Sequence, residues 1–393
     1  MQIQSESILQ KRIKRFKSIK RGYYSLLALI FLYVLALLGP LWINNKPLML
    51  KYDNKYYFPA IVDLLDFIPG INYPLYESKT FNQKSSRIEV DFRKLKKEIN
   101  KDDNENFIVM PLYPYHPHED LKDQLDEEYE DINKNNSYDF GEPFLDENRD
   151  GIWNENHPPT LPAGFKGRHL LGTDNTGRDV FTRVVDGYRI SITFALIVTT
   201  LSYIIGIVAG AILGFFAGKT DLFGVRLMEI FSAMPFLFVM MILASFMQPS
   251  VLLLASMSVL LKGWIGITYY VRGEFFREKA KDYVSAAVSM GASPSSIMFK
   301  HILPNSLTPI ITWAPFSIIG DIFTLVSLDF LGYGLRPPTS SWGNLLAQAA
   351  ENLDNWHMLI FPVIVLTLTI FMITFISEAV REAFDPKIYS RLR

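Results

Sequence analysis

The chain has 393 residues, with 39 Lys+Arg against 40 Asp+Glu, a net charge of −1, no cysteine and a mean hydropathy of +0.14. The absence of cysteine excludes a disulfide framework, thiolate metal sites and a cysteine nucleophile, and the near-zero charge excludes a globally basic nucleic-acid binder. The averages resemble those of a water-soluble protein, but Gly22 to Asn45, Ile190 to Gly218 and Ile230 to Leu261 carry no charged residue. Each run is long enough to cross a hydrocarbon core of about 30 Å, which takes roughly 20 residues.

In chain order, residues 1–22 form a basic N-terminal segment, with Lys11, Arg12, Lys14, Arg15, Lys17, Lys20 and Arg21 ahead of the first apolar run. That run is too long for a secretory signal and ends in bulky residues, so 23–45 is predicted to be a retained first transmembrane helix with its N-terminus cytoplasmic. From 46 to 168 the composition turns polar, Asn-rich and Tyr/Pro-rich, with an acidic stretch between Glu119 and Asp150. This is predicted to be a periplasmic insert. Residues 169–189 read as an amphipathic interfacial segment and 190–393 as a core, with further spans at about 190–217, 231–248, 250–271, 306–329 and 357–377.

Six spans place both termini in the cytoplasm. Loop charges agree, since Lys219, Arg226, Arg272, Arg277, Lys279, Lys281, Lys300, Arg381, Lys387, Arg391 and Arg393 all fall in predicted inside segments, where basic residues concentrate. Three ionisable residues interrupt the apolar segments: Lys262, Asp321 and Asp329. A charge at mid-bilayer marks a cavity or a partner by default, whereas Lys262 and Asp329 also suit a span end, where snorkelling is cheap.

Between the fourth and fifth spans, Asp282-Tyr-Val-Ser285-Ala286-Ala287-Val-Ser-Met-Gly291-Ala292-Ser293-Pro294 precedes His301-Ile302-Leu303-Pro304-Asn305. The pattern predicts two short surface helices. Gly291 ends the first, Ser293 caps the second with Pro294 at its first position, and Pro304 ends it. Ser285, Ala286 and Ala287 would form a small face that another protein's groove can approach. The segment resembles the EAA loop of ABC-importer permeases, with Ser285 in place of the glutamate and Ala286, Ala287, Gly291, Leu303 and Pro304 matching. The resemblance implies that a coupling loop, 272–305, docks an ATPase through Asp282, Ser285, Ala286, Ala287, Gly291, Ala292, Ser293, Leu303 and Pro304.

Ahead of the second span stands Leu171-Gly172-Thr173-Asp174-Asn-Thr176-Gly177-Arg178-Asp179. Thr176 and Asp179 fit a capping box, and Val180, Phe181, Val184, Val185 and Tyr188 share one helical face. As physics alone this is a pre-membrane helix. As a string it resembles the G-T-D-x-x-G-R-D block of dipeptide/oligopeptide permeases. Gly263-Trp264 through Arg272, Leu328-Asp329 through Leu335, Pro337-Pro338 through Gly343 and Glu378 through Pro386 look like the Yej-type branch, the oligopeptide and microcin C permeases. That likeness covers nearly all of the chain except about residues 80–160.

That exception carries its own pattern. Asp131, Asn133, Asn135, Ser137, Asp139 and Glu142 follow the ligand spacing of a calcium loop, and Asp146, Asn148, Asp150, Ile152 and Asn154 repeat it fifteen residues on, with His157 where the last ligand would stand. The insert is therefore expected to hold Ca²⁺ in helix-free loops, the alternative being a solvated acidic linker. His116-Pro-His118, the one close histidine pair, reads as a loop feature. No G-x-x-x-x-G-K-[ST] loop or nucleophile triad occurs, so the chain is not expected to bind ATP or to be an enzyme.

These readings converge on an all-α membrane protein with six transmembrane helices of the type I ABC-importer permease kind. By resemblance it moves peptides across the bacterial inner membrane by alternating access, with no cofactor in its core and ATP-Mg only on partner subunits. The implied partners are a homologous second permease, two cytoplasmic ATPase domains, a periplasmic substrate-binding protein and the lipid bilayer, with no nucleic acid. Asp321 and Lys262 are the candidate cavity residues. The rival class, a calcium-dependent membrane-anchored surface sensor or adhesion protein, accounts for the repeats but not for the coupling-loop pattern. A secondary transporter lacks support, because no internal inverted repeat is visible.

Overall fold

The computed structural model describes residues 8–65, 81, 90–99, 106–120, 129–130, 132–133, 138–144, 153, 160–162 and 169–384. It divides into two compact units, one of residues 1–31, 190–336 and 364–393 and the other of residues 32–189 and 337–363, with three of the four boundaries inside long helices.

The first unit is helical. It contains α1 (Ile8–Ser18) and parts of α2 (Lys20–Leu37) and α6 (Val180–Phe216). They are followed by α7 (Gly218–Ala233), α8 (Phe236–Phe246), α9 (Val251–Ser258), α10 (Trp264–Lys279) and α11 (Asp282–Ser289). The chain then continues through α12 (Pro294–Ser296), α13 (Leu303–Phe330) and the end of α15 (Trp356–Phe384).

Five helices are long and apolar enough to cross a membrane: Lys20–Leu37, Val180–Phe216, Val251–Lys279, Pro294–Phe330 and Trp356–Phe384. A sixth candidate is α7 with α8, bent by 72°. The count agrees with the six predicted spans, but the course differs in three places. The predicted third span, 231–248, breaks at Met234-Pro235. Proline lacks the N–H that would continue the ladder and drives the residue before it to extended backbone, and Met234 sits at φ −77°, ψ 130°.

The second departure is the segment 169–189, expected to lie at the interface. Its helix starts at Val180 and runs unbroken to Phe216. Its faces are not segregated either, since Thr182, Arg183 and Asp186 are buried along with Val180, Val184 and Tyr188. The third is Pro304, which does not end a helix. A π-helical turn over Ile297–Ile302 joins α12 to α13, and its wider hydrogen-bond ring accommodates a residue with no N–H to donate.

Glycines set the helix packing. Gly206, Gly210 and Gly214 form one stripe of α6, and a Cβ at each would lie 1.9 Å from Ile267 Cγ2, 2.7 Å from Val271 Cβ and 2.5 Å from Phe275 Cβ on α10. Small residues let two backbones approach where lipid gives no hydrophobic drive. Gly22 on α2 meets Ala379 on α15 in the same way, at 2.1 Å.

The second unit contains most of the insert. Here a three-stranded antiparallel sheet, order β2-β1-β3, joins β1 (Met49–Tyr52), β2 (Lys55–Tyr57) and β3 (Phe107–Val109), an addition to the predicted helical architecture. Asp53 and Asn54 both have positive φ, the geometry of a tight two-residue hairpin. Leu50 and Phe81 pack with Phe92, Leu95 and Ile99 of α5 (Phe92–Ile99). The unit also holds α3 (Gly39–Trp42), α4 (Pro59–Leu65) and α14 (Trp342–Glu351).

Candidate functional site: a polar cleft and an exposed loop helix

The first unit encloses a cleft of about 920 Å³ between α6, α8, α10 and α13. Its wall is mainly aromatic and aliphatic, including Tyr269, Tyr270, Trp313 and Phe316, and among the described residues the charged ones lining it are Asp321 and Lys262. Asp321 on α13 accepts a hydrogen bond from Thr199 Oγ1 of α6 at 2.7 Å. One turn along each helix, Tyr203 Oη and Ser317 Oγ lie 3.3 Å apart. Residues four apart share a helix face, so 199/203 and 317/321 build a polar ladder across the two helices. Ser202, also on the wall, has a buried Oγ with no hydrogen-bond partner among the described residues. Lys262 is exposed, its ammonium 5.5 Å from the Phe236 ring centroid, a cation–π distance.

Thus the two ionisable residues expected at the cavity line one cleft. Thr199, Tyr203 and Ser317 escaped the sequence analysis, although their four-residue spacing within apolar runs was there to read. Asp329 belongs elsewhere. It is buried near the end of α13 and accepts the Leu335 N–H at 2.6 Å, which ties down the following turn.

The loop between α10 and α13 is built as its caps dictate. The Gly291 N–H donates to Val288 O and the Ala292 N–H to Ala287 O, both at about 3 Å, with Gly291 at φ +78°. This is a Schellman ending, which needs left-handed backbone at its glycine. Ser293 Oγ accepts from Ser296 N at 3.4 Å and Pro294 follows it. Glu278 receives Tyr283 Oη at 2.9 Å and Lys281 Nζ at 2.7 Å, fastening α11 to the end of α10. Burial, followed by this bond, raises the Tyr283 phenol above its ordinary pKa.

The small face divides. Ser285 and Ala286 are exposed with Asp282, Gly291 and Ser293, but Ala287 is 1 % exposed and packs inward with Val271, Phe275, Ile297 and Ile302. Ala287 therefore belongs to the subunit's own core, because the Cβ of residue 287 points to the same side of α11 as Val284, one turn back. Leu303 is partly buried against the same cluster. The large apolar residues exposed beside them are ones the sequence analysis passed over, Val288 at 57 % and Met290 at 79 %.

The block at 171–189 forms a buried polar hub within the second unit. Asp174 and Arg183 are fully buried and paired, and Arg183 Nη2 also donates to Asn344 Oδ1 at 3.0 Å. The helix cap is Asp179, whose Oδ1 accepts the Thr182 N–H at 2.8 Å, and not Thr176, whose hydroxyl donates to Asp174. Asp179 Oδ2 also accepts from Tyr113 Oη at 2.6 Å and lies 2.8 Å from His169 Nδ1. Burial, then the Asp179 charge, holds the Tyr113 phenol far above its usual pKa. Gly187 lets Trp342 lie against α6, and Trp342 Nε1 donates to Val184 O at 2.9 Å.

Of the calcium-loop residues, Asn133, Asp139 and Glu142 are described; Asp131, Asn135, Ser137, Asp146, Asn148, Asp150, Ile152 and Asn154 lie outside the described residues. Glu142 is buried and its two carboxylate oxygens accept the N–H groups of Ile132 at 2.9 Å and Asp139 at 3.0 Å. Asn133 Nδ2 donates to Asp139, and Tyr138 stacks on Trp153 with ring centroids 4.6 Å apart. Among the described residues no three of His, Asp and Glu gather so as to hold an ion.

Residues 206–389 match the family described as the binding-protein-dependent transport system inner membrane component. The inner membrane ABC transporter permease protein YejE of Escherichia coli is 34% identical over 379 residues, covering 96% of this chain and 96% of that one. The peptidoglycan transport system permease protein YejE of Agrobacterium fabrum is 32% identical over 383 residues, covering 96% and 93%. The oligopeptide transport system permease protein OppC of Haemophilus influenzae is 37% identical over 248 residues, covering 62% and 77%. Among solved structures, an inward-facing MetNI methionine ABC transporter chain aligns with a TM-score of 0.41 at 16% identity, covering 52% of this chain and 96% of that one.

Proposed function

Because the chain belongs to the YejE-type ABC-transporter permeases, within the binding-protein-dependent transport system inner membrane component family, we propose that it forms one half of the pathway by which an ATP-driven importer carries peptides across the bacterial inner membrane. One relative is named for peptidoglycan transport and another for oligopeptide transport, which favours peptide-containing cargo. In this reading a homologous permease supplies the facing wall of the cleft, a periplasmic binding protein delivers the cargo, and two ATPase domains hydrolyse ATP on the cytoplasmic side. The chain itself is not an enzyme. Both termini and the loop 272–305 are cytoplasmic, and the insert 46–168 is periplasmic.

The observation that carries the proposal is the continuity of one helix, Pro294–Phe330. Its beginning follows the exposed α11, and its later turns bear Trp313, Phe316, Ser317 and Asp321 on the cleft wall. A force applied at α11 by ATPase closure reaches the cleft along one continuous helical path, in which the π-helical turn at Ile297–Ile302 and the interior prolines Pro309 and Pro315 are the points where the helix can bend. Alternating access follows if that helix rocks with α6 and α10, which the glycine stripe locks together. The test is import by the complete complex in proteoliposomes. ATP-dependent accumulation of a short peptide, lost when Val288 and Met290 are replaced by Glu, is the expected result, and accumulation unaffected by those substitutions removes the coupling assignment.

The insert enters the reading as a calcium-responsive module, supported by the repeated spacing at 131–154. Glu142 and Asp139 are engaged by protein N–H groups, so an ion would take them over from those bonds.

A further inference from the structure

We propose that Asp321 is a specificity-determining residue of the cleft and that it holds the ammonium group of the cargo, the free amino terminus of a peptide or another primary amine. The inference rests on the proposed peptide-permease function and assigns a recognised chemical group to one position on its pathway.

Among the described residues, Asp321 is the only acid on the cleft wall, and no Lys, Arg or His pairs with it. Its Oδ2 is fixed by Thr199. No hydrogen bond from a described residue reaches Oδ1, which leaves that oxygen available to a group in the cleft. A carboxylate in a membrane segment is costly unless something offsets it, and one hydroxyl offsets it only in part. An ammonium group supplies the missing charge and has three donors. The neighbourhood suits those donors. Ser317 lies one turn before Asp321 on the same helix face, Tyr203 Oη stands beside Ser317, and Thr199 already orients the carboxylate.

The aromatic wall adds a second recognition element. Tyr270 and Trp313 approach with ring centroids 6.1 Å apart and Trp313 meets Phe316 at 5.6 Å, so cation-attracting rings line the same cleft as the acid. Lys262, the other charge on the wall, sits over Phe236 on α8. The cleft therefore offers one anionic anchor, while most of its surface is apolar and indifferent to side-chain identity. That combination would fix a peptide by its terminus and leave its sequence unread.

The test measures binding to the complete permease–ATPase complex in nanodiscs, without any binding protein, by equilibrium dialysis of labelled tetra-alanine and of N-acetyl-tetra-alanine. The expected result is that wild-type complex holds the free-amine peptide at least tenfold more tightly, that Asp321→Asn brings the two peptides within about twofold of each other, and that Asp321→Glu keeps the preference. Thr199→Val should weaken the preference without abolishing it. A single symmetric size-exclusion peak and an unfolding midpoint within a few degrees of wild type, across the variants, report that the complex is folded. Equal binding of both peptides by wild type, no binding of either, or an undiminished preference in Asp321→Asn overturns the assignment. A parallel import assay with the binding protein separates the two claims. Import with no dependence of binding on Asp321 removes this inference alone, whereas absence of peptide import removes the proposed function and the inference with it.

Discussion

Gly210 of α6 lies so close to Val271 of α10 that a methyl group on the glycine would come within 2.7 Å of the valine Cβ and also of the Thr268 carbonyl oxygen. One partner is a backbone oxygen and the other a Cβ, whose position is set by the backbone, so no side-chain rotation relieves the contact. Gly210→Val should therefore destabilise the first unit by about 1 to 3 kcal/mol, the usual range for overpacking. Thermal unfolding of the purified subunit in detergent reads this as a lowered midpoint. Gly273→Ala is the matched control. It lies within α10, nothing would meet its Cβ within 4 Å, and it should be neutral or slightly stabilising. Equal midpoints for Gly210→Val and wild type would show that the helices do not pack at this distance.

The buried pair of Arg183 and Asp174 gives a second prediction. Arg183→Met leaves Asp174 buried without its counter-charge, a loss of about 3 to 5 kcal/mol. The double variant with Asp174→Asn should recover part of it, because the stranded charge is gone. A double-mutant cycle on folded yield and unfolding midpoint measures the coupling, and strict additivity of the two single changes would place the pair outside the fold's support.

Substitutions on α11 should separate by direction. Ala287→Glu forces a charge into the cluster of Val271, Phe275 and Ile302 and should reduce the amount of folded permease. Val288→Glu and Met290→Glu alter exposed positions and should leave folding intact while ATPase coupling falls. Size-exclusion profiles together with ATPase rates of the reconstituted complex decide it. A well-folded Ala287→Glu with lost coupling would turn the docking face back toward residue 287.

Acidification should loosen the second unit. His116 is lowered to a pKa of about 4, first by burial and then by the neighbouring His118 charge, with Asp63 and Asp186 pulling the other way and Lys46 adding to the depression. The folded chain thus keeps His116 neutral at a pH where the unfolded chain, near 6.5, takes a proton. Stability is full above pH 6.5 and declines as pH falls toward 4, by at most about 3 kcal/mol at 1.36 kcal/mol per unit. His116→Gln should flatten the unfolding midpoint across that window, and an unchanged slope would assign it to other groups.

Calcium should act on the insert in the full-length protein. With Asp131, Asn133, Asn135, Asp139 and Glu142 as ligands, binding in the range of about 10⁻⁴ to 10⁻³ M is expected, read as a change in tryptophan fluorescence because Trp153 stacks on Tyr138 within the loops. Glu142→Gln should weaken it. A flat titration to millimolar Ca²⁺ would leave the segment an acidic linker held by Glu142's bonds to Ile132 and Asp139.

The amino-acid sequence alone determined what is local or averaged over a long window. Runs such as Ile190 to Gly218 specify spans because the cost of a charge in hydrocarbon acts on every residue in turn, and Gly291 and Ser293-Pro294 specify caps because the backbone groups they satisfy lie within a few positions. Tertiary structure decided everything that depends on which face a residue turns and what meets it there. Ala286 and Ala287 are identical in composition, yet one is exposed and the other is core, since a 100° step along α11 separates solvent from Phe275. Pro304 reads as a helix end until a π-helical turn frees it of its missing bond. Asp321 was legible as an anomaly in an apolar run, but its bond to Thr199, 122 positions away, and the cleft both residues line arise only when α6 and α13 pack, because sequence spacing holds no information about distance across a helix pair.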